Sequence, residues 1–169
     1  MTTTDPTADA PAGEVLPAAA WWAALAGLPG MGPARLGVLW EAGPADEAWR
    51  LVAEGRALQL PALAALLGRQ ADTTAAALAR AAAEVDVAER WAAHEREGID
   101  VVVRGDPRMP ARLADDIDPP FVLFADGDLA AIEGPTVAIV GTRRCSRAGA
   151  EMAHEVGYQC ARAGGRVVS

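Results

Sequence analysis

Apolar and polar positions in the first hundred residues follow a helical period, interrupted by proline and glycine. Between Pro17 and Gly68 the apolar residues recur three or four positions apart, which predicts four short helices. Pro33 and Pro61 suit the first turn of a helix, and Gly68 suits a C-terminal stop. The pattern therefore predicts a small all-helical domain over residues 17–70.

A longer helical pattern follows this domain. Asp72-Thr73-Thr74 is typical of a helix cap, and apolar side chains then fall on roughly one face as far as about Glu97. Gly98 is a natural end for that pattern. We expect one long connecting helix over residues 71–98, with a domain boundary near Gly98.

After Gly98 the pattern changes from helical to mixed. Runs of β-branched and other apolar residues predict four strands, namely Ile99–Val103, Phe121–Phe124, Thr136–Val140 and Arg166–Ser169. A helix is predicted from about Arg147 to Ala163, between the last two strands. Strands that alternate with helices are typical of an α/β fold with a parallel sheet.

Composition narrows the class of protein. The chain is 51% hydrophobic, but much of this is alanine, so we expect leucine, valine and the five tryptophans to seal the core. Residues 1–16 are rich in Thr, Ala, Pro and Asp, which predicts a disordered tail and excludes a secretory signal peptide. Cys145 and Cys160 lack metal-type spacing and are expected to be free thiols in the reducing cytoplasm.

Charge is unevenly distributed along the chain. The formal net charge of −8 argues against a protein whose whole surface attracts nucleic acid. Residues 141–169, however, hold five arginines and two acidic residues, a local balance of +3. All the basic residues are arginine, which suits bidentate phosphate contacts but is also explained by a compositional bias of the source.

The most informative segment is the predicted strand Thr136–Val140 and the loop after it. Gly141 permits a sharp turn or close approach to a ligand, and Thr142, Arg143 and Ser146 supply hydroxyl and guanidinium groups before a helix. These groups predict a phosphate site. The alternative is a plain strand-to-helix turn with solvent-facing arginines, in which Ser146 only caps the helix. The loop lacks the G-x-G-x-x-G pattern, so no dinucleotide cofactor is expected.

Three sequence elements in order resemble the DNA-processing protein A (DprA/Smf) family. Val137–Ser146 is similar to its V-A-I-V-G-T/S-R-x-x-S pattern. Gly105–Leu113 is similar to its D-x-x-Y-P-x-x-L element, with Met109 where an aromatic residue is usual. Asp118–Gly127 is similar to its D-P-P-x-x-L-F-x-x-G element. The resemblance is strong from about Ile99 onward and loose before it.

The resemblance implies a Rossmann-like, doubly wound parallel domain that begins at residue 99. It further implies single-stranded DNA binding through the motif arginine, Arg143, without catalysis or a cofactor. Loading of a RecA-type recombinase in natural transformation, a homodimer formed through the Rossmann-like domain, and a cytoplasmic location are implied in the same way. Family members continue beyond the position of Ser169, so we expect this chain to be a fragment whose sheet is incomplete.

Leu25–Leu36 offers a second candidate phosphate contact. Its Pro-Gly-Met-Gly-Pro segment resembles a helix-hairpin-helix turn, in which backbone N–H groups at Gly30 and Gly32 approach a phosphate and Arg35 assists. The alternative, which we favour, is a compact turn between two helices. His94, His154 and the acids before Pro119 show no metal-ligand pattern, so no metal site is predicted.

Two other classes of function, an enzyme and an interaction module, are also compatible with the sequence. A Rossmann-like domain with a Gly-Thr-Arg loop also suits a nucleotide-hydrolysing enzyme of the lysine-decarboxylase-like phosphoribohydrolase type. Such enzymes carry a glycine-rich loop further along the chain and catalytic Arg and Glu residues, and this sequence is expected to end before the positions where these would occur. The helical N-terminal part, taken alone, suits an interaction module.

Overall fold

A computed structural model describes residues 15–169, which divide into two compact units. The first unit ends at Ala93 and the second spans His94–Ser169. Residues 1–14 of the predicted disordered tail lie outside the described residues. Val15 and Leu16, the last two positions of that predicted tail, have no regular secondary structure.

The first unit is helical, and it extends to Ala93, beyond the helical domain predicted over residues 17–70. Its helices are α1 (Ala18–Ala26), α2 (Pro33–Ala42), α3 (Ala45–Ala53), α4 (Pro61–Leu67), α5 (Ala71–Ala83) and α6 (Val87–Glu97), with short 3-10 turns at Ala57–Gln59 and Gly68–Gln70. The boundary between the units falls inside α6. Pro33 and Pro61 each occupy the first helical turn, and Gly68 follows α4 with a positive φ of 56°. These local predictions are confirmed.

The prediction of one long helix over residues 71–98 is wrong. The chain breaks between Ala83 and Val87, so two helices, α5 and α6, replace it. The cause is Asp86, whose carboxylate accepts the backbone N–H of Glu89 at 3.0 Å and caps the start of α6. Asp86 and Glu89 carry the spacing of a capping box, a signal that the apolar periodicity concealed.

Leucine, valine and tryptophan form the core of the helical unit. Leu25, Leu39, Val52, Leu63 and Leu78 are essentially inaccessible to solvent. Trp22 and Trp49 are also buried, and the Trp22 ring lies 5.0 Å from that of Trp40 between centroids. The tryptophans therefore serve mainly in packing, which confirms the expectation that a few large side chains seal an alanine-rich core.

The second unit contains the four predicted strands and the predicted helix. Its elements are β1 (Ile99–Val103), α7 (Ala111–Ala114), β2 (Val122–Asp126), a 3-10 turn at Leu129–Ile132, β3 (Thr136–Ala138), α8 (Arg147–Arg162) and β4 (Arg166–Val168). β1 and β2 pair antiparallel, with Val101 opposite Phe124. β3 and β4 pair parallel, with Val137 opposite Val167, and α8 makes the crossover.

The sheet topology differs from a single doubly wound parallel sheet. Within residues 15–169 the strands form two separate two-stranded sheets, and one of these is antiparallel. The physical reason is the connection. β3 and β4 are joined through a 16-residue helix, which a parallel crossover requires. The β1–β2 connection holds only the four-residue α7, and its strands turn back on each other. The mixed α/β class stands, while the Rossmann-like arrangement stays a prediction.

Burial is concentrated in the first half of this unit. Val101, Val102, Met109 and Phe121 are buried around the β1–β2 sheet. No residue of α8 is buried, and Val137 and Val168 in the parallel pair are exposed. The β3–α8–β4 segment is therefore an open layer whose loops are accessible.

Candidate nucleic-acid interface

The loop that joins β3 to α8 is the predicted phosphate site. β3 ends at Ala138, and the backbone N–H of Ile139 still donates to the Val168 carbonyl at 2.8 Å. Residues 139–146 then run without regular structure to the start of α8. The loop thus opens at the carboxyl end of a parallel strand, where ligands of α/β sheets characteristically bind.

Gly141 is not needed for a strained turn. It is not among the glycines with a positive φ, so an L-residue could adopt its backbone conformation. No heavy atom outside its immediate chain neighbours lies within 4 Å of the position that a Cβ would occupy. The backbone conformation therefore does not require glycine here, and close approach by a ligand at Gly141 stays a prediction.

Ser146 caps α8, as the sequence predicted. Its Oγ accepts the backbone N–H of Gly149 at 3.2 Å, and its carbonyl accepts the N–H of Ala150 at 3.0 Å. The cap satisfies one of the backbone donors that every helix leaves free at its start. The N–H groups of Arg147 and Ala148 belong to the same turn and face the end of the helix.

The arginines of the loop differ in their partners. Within residues 15–169, the exposed Arg143 guanidinium has no hydrogen bond and no ion pair. The Arg144 side chain is equally unpartnered in that range, although its backbone N–H donates to Thr142 Oγ1 at 3.3 Å. Arg147 instead pairs with Glu151 at 2.8 Å. Arg143 and Arg144 are therefore the two guanidinium groups of the loop that are available to an external anion.

The Gly105–Leu113 element contains a turn that Asp106 and Arg108 stabilise. The Asp106 carboxylate accepts both the backbone N–H and the guanidinium of Arg108, each at 2.8 Å. These hydrogen bonds lower the pKa of Asp106 below its ordinary value of 3.8 and raise that of Arg108. Arg108 also reaches Asp100 at 3.2 Å and the Val101 carbonyl at 3.2 Å, so the turn is fixed against β1.

The Asp118–Gly127 element is held by Arg104, a residue that the sequence reasoning missed. The Arg104 guanidinium lies 3.5 Å from the centre of the Phe121 ring and donates to the Pro119 carbonyl. Its backbone N–H also donates to the Phe121 carbonyl at 2.9 Å. The contacts join residues that lie far apart in sequence, so no local pattern marked Arg104.

The remaining candidates behave as ordinary structural residues. In the described part of the chain, no group of His, Cys, Asp and Glu could hold a metal ion. The Asp116 carboxylate instead accepts the backbone N–H of Asp118 at 3.1 Å. His94 is half-buried beside Phe124, with ring centroids 5.4 Å apart, and His154 is exposed.

The helix-hairpin-helix candidate forms a tight turn between α1 and α2. Gly30 has a φ of 78°, and the N–H of Gly32 donates to the Gly30 carbonyl at 3.0 Å. The Arg35 guanidinium donates to the same carbonyl. Arg35 therefore stabilises the turn from within, which favours the compact-turn alternative, while phosphate contact at Gly30, Gly32 and Arg35 stays a prediction.

One comparison with known proteins finds a match, and it lies in the last 70 residues of the chain. The family model of DNA recombination-mediator protein A matches residues 100–169. No curated protein and no solved structure matches the chain significantly. No helix within residues 15–169 is long and apolar enough to cross a membrane. The matched segment contains all three elements that carried the resemblance, so residues 100–169 are similar to the DNA recombination-mediator protein A (DprA/Smf) family, as the sequence predicted.

Proposed function

We propose that this protein binds single-stranded DNA at the β3–α8 loop and acts, without catalysis, in DNA recombination. The family match supports a role in DNA processing and recombination. The observation that carries the finer proposal is the free guanidinium of Arg143, exposed in a loop that contains no acidic residue. A phosphodiester supplies the charge that this group lacks.

Each loop residue has a distinct part in the proposed contact. Arg143 neutralises a backbone phosphate, and Arg144 adds a second cation beside it. Gly141 leaves room for the sugar–phosphate chain, since no heavy atom occupies the space where a Cβ would lie. The Thr142 hydroxyl still has a proton to donate, because its oxygen only accepts from Arg144. Ser146 presents the start of α8, whose first N–H groups favour an anion.

The cellular role is proposed from the family. We infer that the protein delivers bound single strands to a RecA-type recombinase during natural transformation. We also infer that it forms a homodimer through the Rossmann-like domain and works in the cytoplasm. These contacts depend on surfaces other than the loop, so they can fail independently of DNA binding.

Titration of a fluorescently labelled oligothymidine with the full chain tests the DNA contact. We expect Arg143→Ala to weaken binding to several unrelated single-stranded sequences about equally, because a phosphate contact carries no base information. Loss of one contact should also reduce the slope of log affinity against log salt by about 0.7.

Arg147→Ala is the matched control. It removes an arginine from the same region, but one whose charge is already compensated by Glu151 at 2.8 Å. We expect a much smaller loss of affinity for this variant. Equal effects of the two substitutions, or an unchanged affinity and slope for Arg143→Ala, would remove Arg143 from the contact.

A further inference from the structure

A cavity of about 880 Å³ lies in the helical unit, beside the start of α1 and the turn between α2 and α3. This volume is within the usual range for ligand pockets, about 300–1,000 Å³. Its walls are mainly apolar and aromatic, and include Leu16, Trp21, Trp22, Trp40, Pro44 and Asp46. The proposed DNA contact uses none of these residues, so the cavity requires a separate explanation.

Three indole rings shape the cavity. Trp22 is buried and packs against Trp40, with ring centroids 5.0 Å apart and planes tilted by 39°. Trp21 packs against Trp49 at 6.3 Å. Trp21 and Trp40 are only half-buried, so part of each ring stays accessible at the cavity. Packing on the core fixes these rings, and a ligand would meet a preformed aromatic surface.

Two acidic side chains, Asp46 and Glu47, lie at or beside the cavity. Asp46 lines it and pairs with Arg50 at 2.6 Å on the same helix. Glu47 lies next to the cavity, since one carboxylate oxygen is 3.6 Å from where a Cβ on Gly43 would lie. Within residues 15–169, Glu47 forms no ion pair. One carboxylate is therefore uncompensated, which favours a cationic ligand over a nucleic acid.

We propose that this cavity docks a basic, proline-rich peptide segment of a protein partner. Proline-rich segments adopt an extended helix that packs its rings into aromatic grooves at low entropic cost. An arginine in such a segment finds indole faces for cation–π contact and the Glu47 carboxylate near Gly43. The aromatic lining selects the apolar part of the ligand and the Glu47 carboxylate selects its charge.

Tryptophan fluorescence tests this proposal directly, because three of the five tryptophans line the cavity. The full chain is titrated with the synthetic peptide Arg-Arg-Pro-Leu-Pro-Pro-Leu-Pro, and separately with its Glu-Glu counterpart. We expect a saturable change in emission for the basic peptide only. We expect Trp21→Leu to weaken binding about tenfold, a loss typical of an aromatic contact at a binding site.

Trp91→Phe is the matched control, since it removes a tryptophan that does not line the cavity. It should leave the affinity unchanged, and Glu47→Gln should weaken binding and reduce its salt dependence. Equal binding of both peptides, no saturation, or full affinity in Trp21→Leu would overturn the proposal.

If Trp21→Leu fails to fold by circular dichroism, nuclear magnetic resonance of the unmodified chain replaces it. Peptide-induced shifts should centre on Gly43, Asp46 and the indole N–H of Trp40, and shifts centred elsewhere would overturn the proposal. A chain that begins at residue 15 supplies the last comparison. Binding to that shorter chain alone would assign the cavity to the protein's own N-terminal segment and would also overturn it.

Discussion

Substitution of Asp106 measures how much one turn contributes to the second unit. Asp106→Ala removes the acceptor for the backbone N–H of Arg108 and for its guanidinium. The backbone bond resembles a helix cap, which is worth about 1 kcal/mol. The Asp106 carboxylate is only 18% exposed but the Arg108 side chain is 54% exposed, so we discount the ion pair to about 0.5 kcal/mol. The expected total loss is about 1.5 kcal/mol.

Asp106→Asn separates the two contributions. The amide oxygen of asparagine still accepts the backbone N–H of Arg108, while the charge is lost. We expect a destabilisation of about 0.5 kcal/mol at neutral pH, set by the ion pair alone.

The pH dependence has a definite sign. The folded protein lowers the pKa of Asp106 below 3.8, so the carboxylate stabilises the fold at pH values above that. This contribution is lost as the pH falls through the lowered pKa of the folded state. The difference between the unmodified chain and Asp106→Asn should therefore shrink on acidification below about pH 4.

Urea denaturation followed by nuclear magnetic resonance is the suitable assay. All five tryptophans lie at or before residue 91, so tryptophan fluorescence reports the unfolding of the first unit and not that of the second. The amide signals of Val101 and Val102, buried in β1, report on the second unit. Equal stability of Asp106→Ala and the unmodified chain at neutral pH, or a difference from Asp106→Asn that grows in acid, would refute the reasoning.

Substitutions at three further residues test the packing and the caps. Leu63→Ala empties a fully buried site and should cost 2–5 kcal/mol in urea denaturation followed by tryptophan fluorescence; a loss below about 1 kcal/mol would contradict the packing. Asp86→Ala removes the acceptor for the Glu89 N–H and should cost about 1 kcal/mol in the same assay. Asp86→Asn should retain most of the stability that the cap contributes. Ser146→Ala should speed amide exchange at Gly149 in the first turn of α8 and leave exchange in β1 unchanged; a uniform change in both would indicate a general loss of stability.

Local signals predicted most of the elements. Proline at the first helical turn, glycine after the last turn, and β-branched runs act within a few residues of chain, and Pro33, Pro61 and Ile99–Val103 follow them. The missed break at Asp86 was equally local. The segment is rich in alanine, so its apolar pattern is compatible with a continuous helix. Only the cap residues therefore indicate that one helix ends and another begins.

Non-local features could not be predicted. The antiparallel pairing of β1 with β2 depends on how the connection between them folds, and the strand patterns are compatible with either direction. The contact of Arg104 with Phe121 is a consequence of that pairing, since the two residues flank the paired strands. Likewise, the sequence left Arg35 open between a phosphate contact and a compact turn, and only the folded turn shows that its guanidinium donates to the Gly30 carbonyl.

The net charge of −8 is physically compatible with the DNA contact proposed at the β3–α8 loop. Charges at a surface are screened over about 8 Å at physiological salt, so a phosphate at the loop senses nearby groups far more than the whole chain. Residues 141–150 contain three arginines and no acidic residue, and Glu151 compensates one of the three. Two free guanidinium groups are therefore available to the proposed ligand, while the overall negative charge mainly slows its approach. The net charge should lower the association rate at low salt more than it raises the dissociation rate. Stopped-flow binding of an oligothymidine at two salt concentrations tests this. Added salt should screen the long-range repulsion, which favours association, and should also weaken the loop contact, which favours dissociation.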